Sequence, residues 1–239
     1  MNRKKDIEFH FKQFSVQHDR STMKVGTDAV LLGVWVDLAG AKDILEIGTG
    51  SGVIALMLAQ RSDDQTKIDA VEIDAESVLQ ARGNVRKSPW PEKVTIWDSS
   101  LQKWNPKKKY DLIISNPPFF SKSLLPPGSI RSRARHSVSL TQHELLKHSK
   151  ELLSVKGRFA IVLPLSEGNQ FIEEASKFEF YLKRQTEFFT RKGKPQERWL
   201  LEFVFQKSPI SFSSLTLFEN GNNLSQEYKQ LTSEFYLNR

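Results

Sequence analysis

The stretch "DILEIGTGSGVIALMLAQR" (residues 43–61) decides the fold. It opens as a short strand-like run, passes through the alternating glycines Gly48, Gly50 and Gly52, and continues with apolar residues at three- and four-residue intervals. That spacing is the period of a helix packed on a sheet. Strand, glycine turn and helix in this order form the first unit of a doubly wound α/β domain. Glycines at such a turn let the backbone bend tightly and approach a ligand where any β-carbon would collide. The dinucleotide fingerprint requires GxGxxG. Here the third glycine comes one position early, at Gly52, and Val53 occupies the expected place, which argues against NAD.

Working outward, short apolar runs keep alternating with helical patterns. The spacing predicts further strands at "KIDAVEI" (residues 67–73), "KVTIW" (93–97), "YDLIIS" (110–115) and "GRFAIVLP" (157–164), and a helix at "ESVLQARGNVRK" (76–87). "FEFYLKRQTEFF" and "RWLLEFVF" follow a helix starting near Ser166 and flank the basic Gly- and Pro-containing turn "TRKGKPQE", so they read as a hairpin closing the sheet. Ahead of residue 43, "FHFKQFSVQ" alternates like a strand and Thr27 can cap a helix running through Val36. After Lys207 the chain turns Ser- and Asn-rich, with "LTLF" and then a helical pattern from Gln226 to Phe235. The organisation expected is an N-terminal extension over 1–40, an α/β domain over 41–206 and a C-terminal extension over 207–239.

The ends of the strands carry the chemistry. About twenty residues beyond Gly52 the second strand ends in "VEID", where Glu72, or second Asp74, can accept hydrogen bonds from ribose hydroxyls. The third ends in "WDSS", where Asp98 can accept from an adenine amino group. The plain structural alternative for these acids is a helix N-cap or a surface turn. Together the features outline a pocket for an adenosine without a pyrophosphate, which fits S-adenosylmethionine. The pattern resembles the class I methyltransferase superfamily: "EIGTGSG", with Glu46 and the three glycines, matches its first motif, Glu72 its ribose acid and Asp98 its adenine contact. The resemblance implies a Rossmann-like, mostly parallel seven-stranded sheet of order 3-2-1-4-5-7-6, with S-adenosylhomocysteine as product. Strands one and four would then be neighbours, with Gly48 and Asn116 facing one crevice.

The fourth strand ends in "NPPFF" (116–120). An exocyclic amine is a poor nucleophile because its lone pair is delocalised into the ring. Acceptors on its two N–H groups localise that pair, and Asn116 offers a side-chain carbonyl while Pro117 offers a backbone carbonyl stiffened by the two proline rings. Phe119 can stack on a base, a contact worth about 1–3 kcal/mol. A strand-terminating turn with core phenylalanines is the structural alternative, and Phe120 fits either reading. "NPPF" resembles the [DN]PP[FYW] motif of enzymes that methylate planar amino nitrogens.

The substrate is narrowed by a wider likeness. "FSVQHDRSTMKVGTDAVLLGVW" (14–35), the glycine stretch, "VEIDAESVLQARGNVRKSPW" and "NPPFFSKSLLPPGSIRSRARH" resemble the bacterial tRNA(Val) adenine-37 N6-methyltransferase family. The resemblance implies that the lead-in "MKVGTD" lies over the cofactor, so that Lys24, Thr27 and Asp28 line its pocket, with Thr27 as a helix cap an equal alternative. It also implies tRNA as the partner. A formal charge of +7 suits a polyanion. Arg131, Arg133, Arg135 and His136, with Arg191, Lys192 and Lys194, are the candidate phosphate contacts. A glutamine N5-methyltransferase, an rRNA guanine N2-methyltransferase and an inactive RNA-binding protein with this fold are the rivals.

Composition excludes other classes. The chain of 239 residues has no cysteine, so disulfides and thiol catalysis are ruled out, and its five scattered histidines lack helical HxxxH spacing, which leaves no expected metal site. No apolar run approaches the length of a membrane helix and "MNRKKDIEFHFKQF" lacks a signal-peptide core, so a soluble, cytoplasmic protein is expected; a monomer is the separate expectation for its assembly.

Overall fold

The computed structural model describes residues 7–118 and 140–237. Phe119, Phe120, Arg131, Arg133, Arg135 and His136 lie outside the described residues. The chain begins with a small antiparallel pair, β1 (Glu8–His10) and β2 (Ser15–Gln17), and then α1 (Thr27–Trp35). The alternating core follows as β3 (Asp43–Ile47), α2 (Val53–Arg61), β4 (Lys67–Glu72), α3 (Ala75–Lys87), β5 (Val94–Asp98) and β6 (Tyr110–Ser115). Beyond residue 140 come α4 (Gln142–Leu152), β7 (Leu153–Pro164), α5 (Leu165–Lys177), β8 (Tyr181–Arg191) and β9 (Arg198–Val204). The tail forms β10 (Ser211–Asn220), β11 (Asn223–Leu224) and α6 (Gln226–Leu231).

The main sheet runs β5-β4-β3-β6-β7-β9-β8-β10-β11. Its first seven strands have the order the resemblance implies, with β9 antiparallel to both neighbours. The count is corrected from seven to nine, because β10 adds to β8 in parallel and β11 folds back on β10. The Ser-rich start of β10 does not alternate in polarity, while Leu215 and Leu217 farther along are buried and anchor it. The seventh strand in chain order, β7, begins four residues before the expected Gly157, because α4 ends at Leu152 and hands the chain directly to it.

Strand alternation divides the core by face. Ile44, Ile68, Ile96, Leu112 and Ile114 face α1, α2 and α3, while Leu45, Ile47, Ile113 and Ile161 face the layer holding α4 and α5. Every residue from Val53 to Ala59 is buried, because α2 is covered by the sheet on one side and by α1 on the other. The absence of a side chain at Gly33 permits that stacking, since a β-carbon there would stand 2.8 Å from the Met57 sulfur. The two extensions share the first of these clusters: Phe11, Phe14 and Val16 from the start, and Leu215, Tyr228 and Phe235 from the tail. The termini of the described chain meet in it. Phe11 packs edge-on to Phe235 and parallel to Tyr236, and the Lys12 amide donates to the Phe235 carbonyl at 2.8 Å.

Candidate active site

The carboxyl ends of β3, β4, β5, β6 and β7 converge on one edge, the place where open parallel sheets bind ligands. Because β8 runs parallel to β7, the turn 192–197 opens onto the same edge. After Ile47 the chain makes the glycine turn, with φ of +75° at Gly48, +55° at Gly50 and +82° at Gly52, all left-handed. Only glycine takes these angles without strain. Gly48 opens onto free space, with nothing within 4 Å of where a β-carbon would stand, whereas at Gly52 that position is 3.4 Å from the Ala81 β-carbon of α3. The turn is therefore pressed against α3 at one end and open toward a ligand at the other.

Two carboxylates hold it. Glu46 is 1% exposed, and its Oε2 accepts from the Thr49 hydroxyl at 2.6 Å and the Ala55 amide at 3.0 Å. Burial pushes its carboxyl up to about 8, against the lowering effect of those two bonds. Its contacts lie beneath the turn, so Glu46 braces the loop from below. Glu72 accepts from the Gly50 amide on Oε2 and from the Ile73 and Asp74 amides on Oε1, each at 2.9 Å. Burial raises its pKa despite these three bonds. A carboxylate has about four lone-pair sites. One direction of Glu72 therefore remains for a ligand hydroxyl. Asp74 caps α3 by accepting from the Ser77 amide at 2.9 Å, the structural alternative weighed for it. Asp98 pairs with Glu72 across β4 and β5, is exposed, and has no hydrogen bond or ion pair to its carboxylate among the described residues.

The strand carrying Asn116 lies directly beside the glycine turn. Ile47 pairs with Ser115, and the Ser115 hydroxyl donates to the Ile47 carbonyl at 3.0 Å. Gly48 and Asn116 thus leave adjacent strands side by side. Asn116 is half-buried, Pro117 buried and Pro118 exposed. The segment 17–26 crosses the same edge: the Ser21 hydroxyl stands 3.4 Å from where a β-carbon of Gly50 would be. It continues through exposed Lys24 into α1. Thr27 is the first residue of α1 and does not cap it. Gly26 is the N-cap, in extended conformation with no side-chain bond. Asp28 ion-pairs with Arg198 at 2.9 Å, tying α1 to the start of β9 opposite Pro164. Asp28 is thereby half-committed to a protein partner 170 residues away, which no local pattern discloses.

The candidate phosphate contacts on the turn 192–197 are also partly engaged. Arg191 donates to the Gly221 carbonyl and the Asn222 side chain and lies over the Phe218 ring, and Lys192 pairs with Glu219 at 3.3 Å. These contacts fasten the tail strand, leaving Lys194 without an ion pair among the described residues. Among the described residues no cluster of three metal-ligating side chains occurs, and no helix is long and apolar enough to cross a membrane. The residues missed by sequence reasoning are Ser77, Gln80 and Asn84, polar yet buried on α3 beneath the crossing segment. Their signal was present as three polar residues at i, i+3 and i+7 on the apolar side of an amphipathic helix.

Comparison with known proteins agrees with this geometry. Residues 20–179 match the family model described as the methyltransferase small domain. The chain is 42% identical over 231 residues to a tRNA1(Val) (adenine(37)-N6)-methyltransferase from Photorhabdus laumondii, covering 96% of this chain and 95% of that one. It is 43% identical over 229 residues to the protein of the same name from Bacteroides thetaiotaomicron, covering 96% and 97%. Among solved structures, a predicted O-methyltransferase from Agrobacterium tumefaciens superposes with a TM-score of 0.67 at 16% identity, over 89% of this chain and 99% of that one. The glycopeptide N-methyltransferase MtfA in complex with S-adenosylmethionine gives 0.52 at 12% identity, over 69% and 87%. At these identities the structural likenesses speak for the fold alone.

Proposed function

The chain belongs to the methyltransferase small domain family, in the branch of the tRNA1(Val) (adenine(37)-N6)-methyltransferases, and from that premise we propose that it methylates the N6 amine of an adenine in tRNA, adenine-37 of tRNA(Val), at the expense of S-adenosylmethionine. One observation carries the reading: the Ile47–Ser115 register, which sets the open glycine turn beside Asn116 and Pro117. The cofactor fits the residues present. The turn offers backbone with no β-carbon over free space, Glu72 retains an acceptor direction for a ribose hydroxyl, and Asp98 is a free acceptor one strand farther for an adenine amine.

When bound, the cofactor supplies a methyl group on a positively charged sulfonium, so the leaving group is neutral. What this chain contributes is alignment and a nucleophile made ready. The Asn116 side-chain oxygen and the Pro117 carbonyl accept from the two N–H groups of the target amine, drawing its nitrogen toward tetrahedral geometry. No residue has to remove a proton before the methyl moves. Phe119, placed by sequence next in the motif, is assigned to the face of the base. An anticodon-loop adenine is already outside a duplex, so bringing it into the crevice costs at most a few kcal/mol of unstacking. Arg131, Arg133, Arg135, His136 and Lys194 are assigned to the RNA backbone, and the protein is read as a cytoplasmic monomer.

The test is incubation with labelled S-adenosylmethionine and bulk tRNA lacking its modifications, followed by nucleoside mass spectrometry. N6-methyladenosine at position 37 of the valine tRNA is expected. Label only in protein would replace this reading with glutamine methylation, and N2-methylguanosine would replace it with a guanine enzyme.

A further inference from the structure

Beyond β2, in which Gln17 lies opposite Glu8 of β1, the segment 18–22 crosses the glycine turn with no strand beside it, yet its backbone is bonded almost residue by residue, beginning with the His18 amide on the Ile7 carbonyl at 3.0 Å. The partner is the side-chain row Ser77, Gln80 and Asn84 on α3, at 0%, 7% and 2% exposure. Buried polar side chains have to find partners. Here they take the place of a neighbouring strand. Ser77 Oγ accepts from the Thr22 amide at 3.2 Å. Gln80 Oε1 accepts from the Arg20 amide at 3.2 Å and the Ser21 amide at 2.8 Å, and its Nε2 donates to Asp19 at 2.6 Å. Asn84 Oδ1 accepts from the Gln17 amide at 2.9 Å, while Nδ2 donates to the Gln17 carbonyl at 2.8 Å. The second hydrogen of that same nitrogen goes to the Ser51 carbonyl inside the glycine turn, also at 2.8 Å.

We propose that Asn84 is a positioning residue of the cofactor site: one amide nitrogen joins the crossing segment to the glycine turn, and Gln80 and Ser77 hold the segment down. The segment then sets the depth of the pocket over Gly50, where the Ser21 hydroxyl stands. The turn cannot shift away from α3 at Ser51 without stretching the Asn84 bond, and the segment cannot lift without breaking the Gln80 pair. Cofactor affinity and closure of the segment are therefore linked, and linkage is reciprocal. Whatever binds more tightly to the closed form also protects it.

This inference rests on S-adenosylmethionine as cofactor, so its test uses S-adenosylhomocysteine alone and no tRNA. Calorimetric titration of Asn84→Asp, which keeps the acceptor for Gln17 but turns an anion toward two carbonyls, should show about tenfold or weaker binding. Gln80→Ala should show a similar loss. The double variant should lose less than the product of the two, because either change alone frees the segment. S-adenosylhomocysteine should slow trypsin cleavage after Arg20 and Lys24 in the unaltered protein and do so less in each variant. In turnover, KM for S-adenosylmethionine should rise while kcat and KM for tRNA stay within about twofold. Should Asn84→Asp unfold, Gln80→Ala and Ser77→Ala carry the measurement. An unaltered protein that does not bind S-adenosylhomocysteine removes the cofactor reading and the clamp with it. Normal binding by the variants, or weaker binding with no change in cleavage, removes the clamp alone.

Discussion

Replacing Glu46 by Gln retains the shape of the side chain and an acceptor for Thr49 and Ala55 while deleting the ionisable proton. In the folded protein burial lifts this carboxyl from 4.5 to about 8. The folded state therefore holds a proton that the unfolded chain releases as pH rises past 4.5. The stabilisation this gives is complete below pH 4.5 and is lost as pH climbs through 8. At 1.36 kcal/mol for each tenfold difference in proton affinity, the full span amounts to about 5 kcal/mol, most of it between pH 5 and 8. The Gln variant has no such proton, so its stability should decline less across that window, and the gap between the two proteins should close or invert toward pH 8. Urea unfolding followed by tryptophan fluorescence at half-unit steps from pH 5 to 8.5 measures the difference. Parallel curves would mean that the carboxyl is ionised in the folded state, and the account of Glu46 as a buried, largely neutral brace would fall.

Other expectations follow from the same geometry. Asn116→Ala should leave S-adenosylhomocysteine affinity nearly intact while lowering kcat about 100-fold or more; activity surviving the change would refute the role given to Asn116. Gly52→Ala should cost about 1–2 kcal/mol of stability, because its left-handed φ crowds a β-carbon, and the contact 3.4 Å from Ala81 should add to the loss; unfolding midpoints and cofactor titration measure both effects. Phe235→Ala should cost about 3–5 kcal/mol and speed hydrogen exchange in β1 and β2; an unchanged hairpin would show that the tail does not support it. Replacing Arg131, Arg133 and Arg135 together should weaken tRNA binding and flatten its salt dependence; unaltered binding would exclude them from the RNA contact.

Much of the fold was legible because the deciding features are local. The glycine turn follows a five-residue strand directly, and the 110–115 strand falls where its apolar run and the two prolines require. Crevice neighbours Gly48 and Asn116 followed once strands one and four were set side by side. What escaped the sequence depends on distant partners. The addition of β10 to β8 rests on Leu215 and Leu217 finding a core built some hundred and fifty residues earlier, and nothing in "SFSS" announces a strand. Thr27 fits a cap by residue type, yet Gly26 takes the position and the neighbouring Asp28 turns to Arg198. Arg191 and Lys192 look free in a basic run, and only the folded tail shows what they hold. Ser77, Gln80 and Asn84 were visible as polar interruptions of a helix face, but their partner is a backbone, which carries no side-chain signature.

The contact between residues 11–12 and 233–236 also imposes an order on folding. Lys12 bonds through its ammonium to the Ser233 carbonyl, 221 positions later, and through its amide to Phe235. A chain emerging from the ribosome folds its domains from the N-terminal side as they appear. Here the earliest hairpin waits for residues 233–236 before its aromatic face is covered. The segment over the glycine turn hangs from that hairpin through Gln17. A product cut before residue 233 would thus carry the complete glycine turn, the Asn116 strand and the α3 row that holds the crossing segment, and still leave the hairpin from which that segment hangs uncovered.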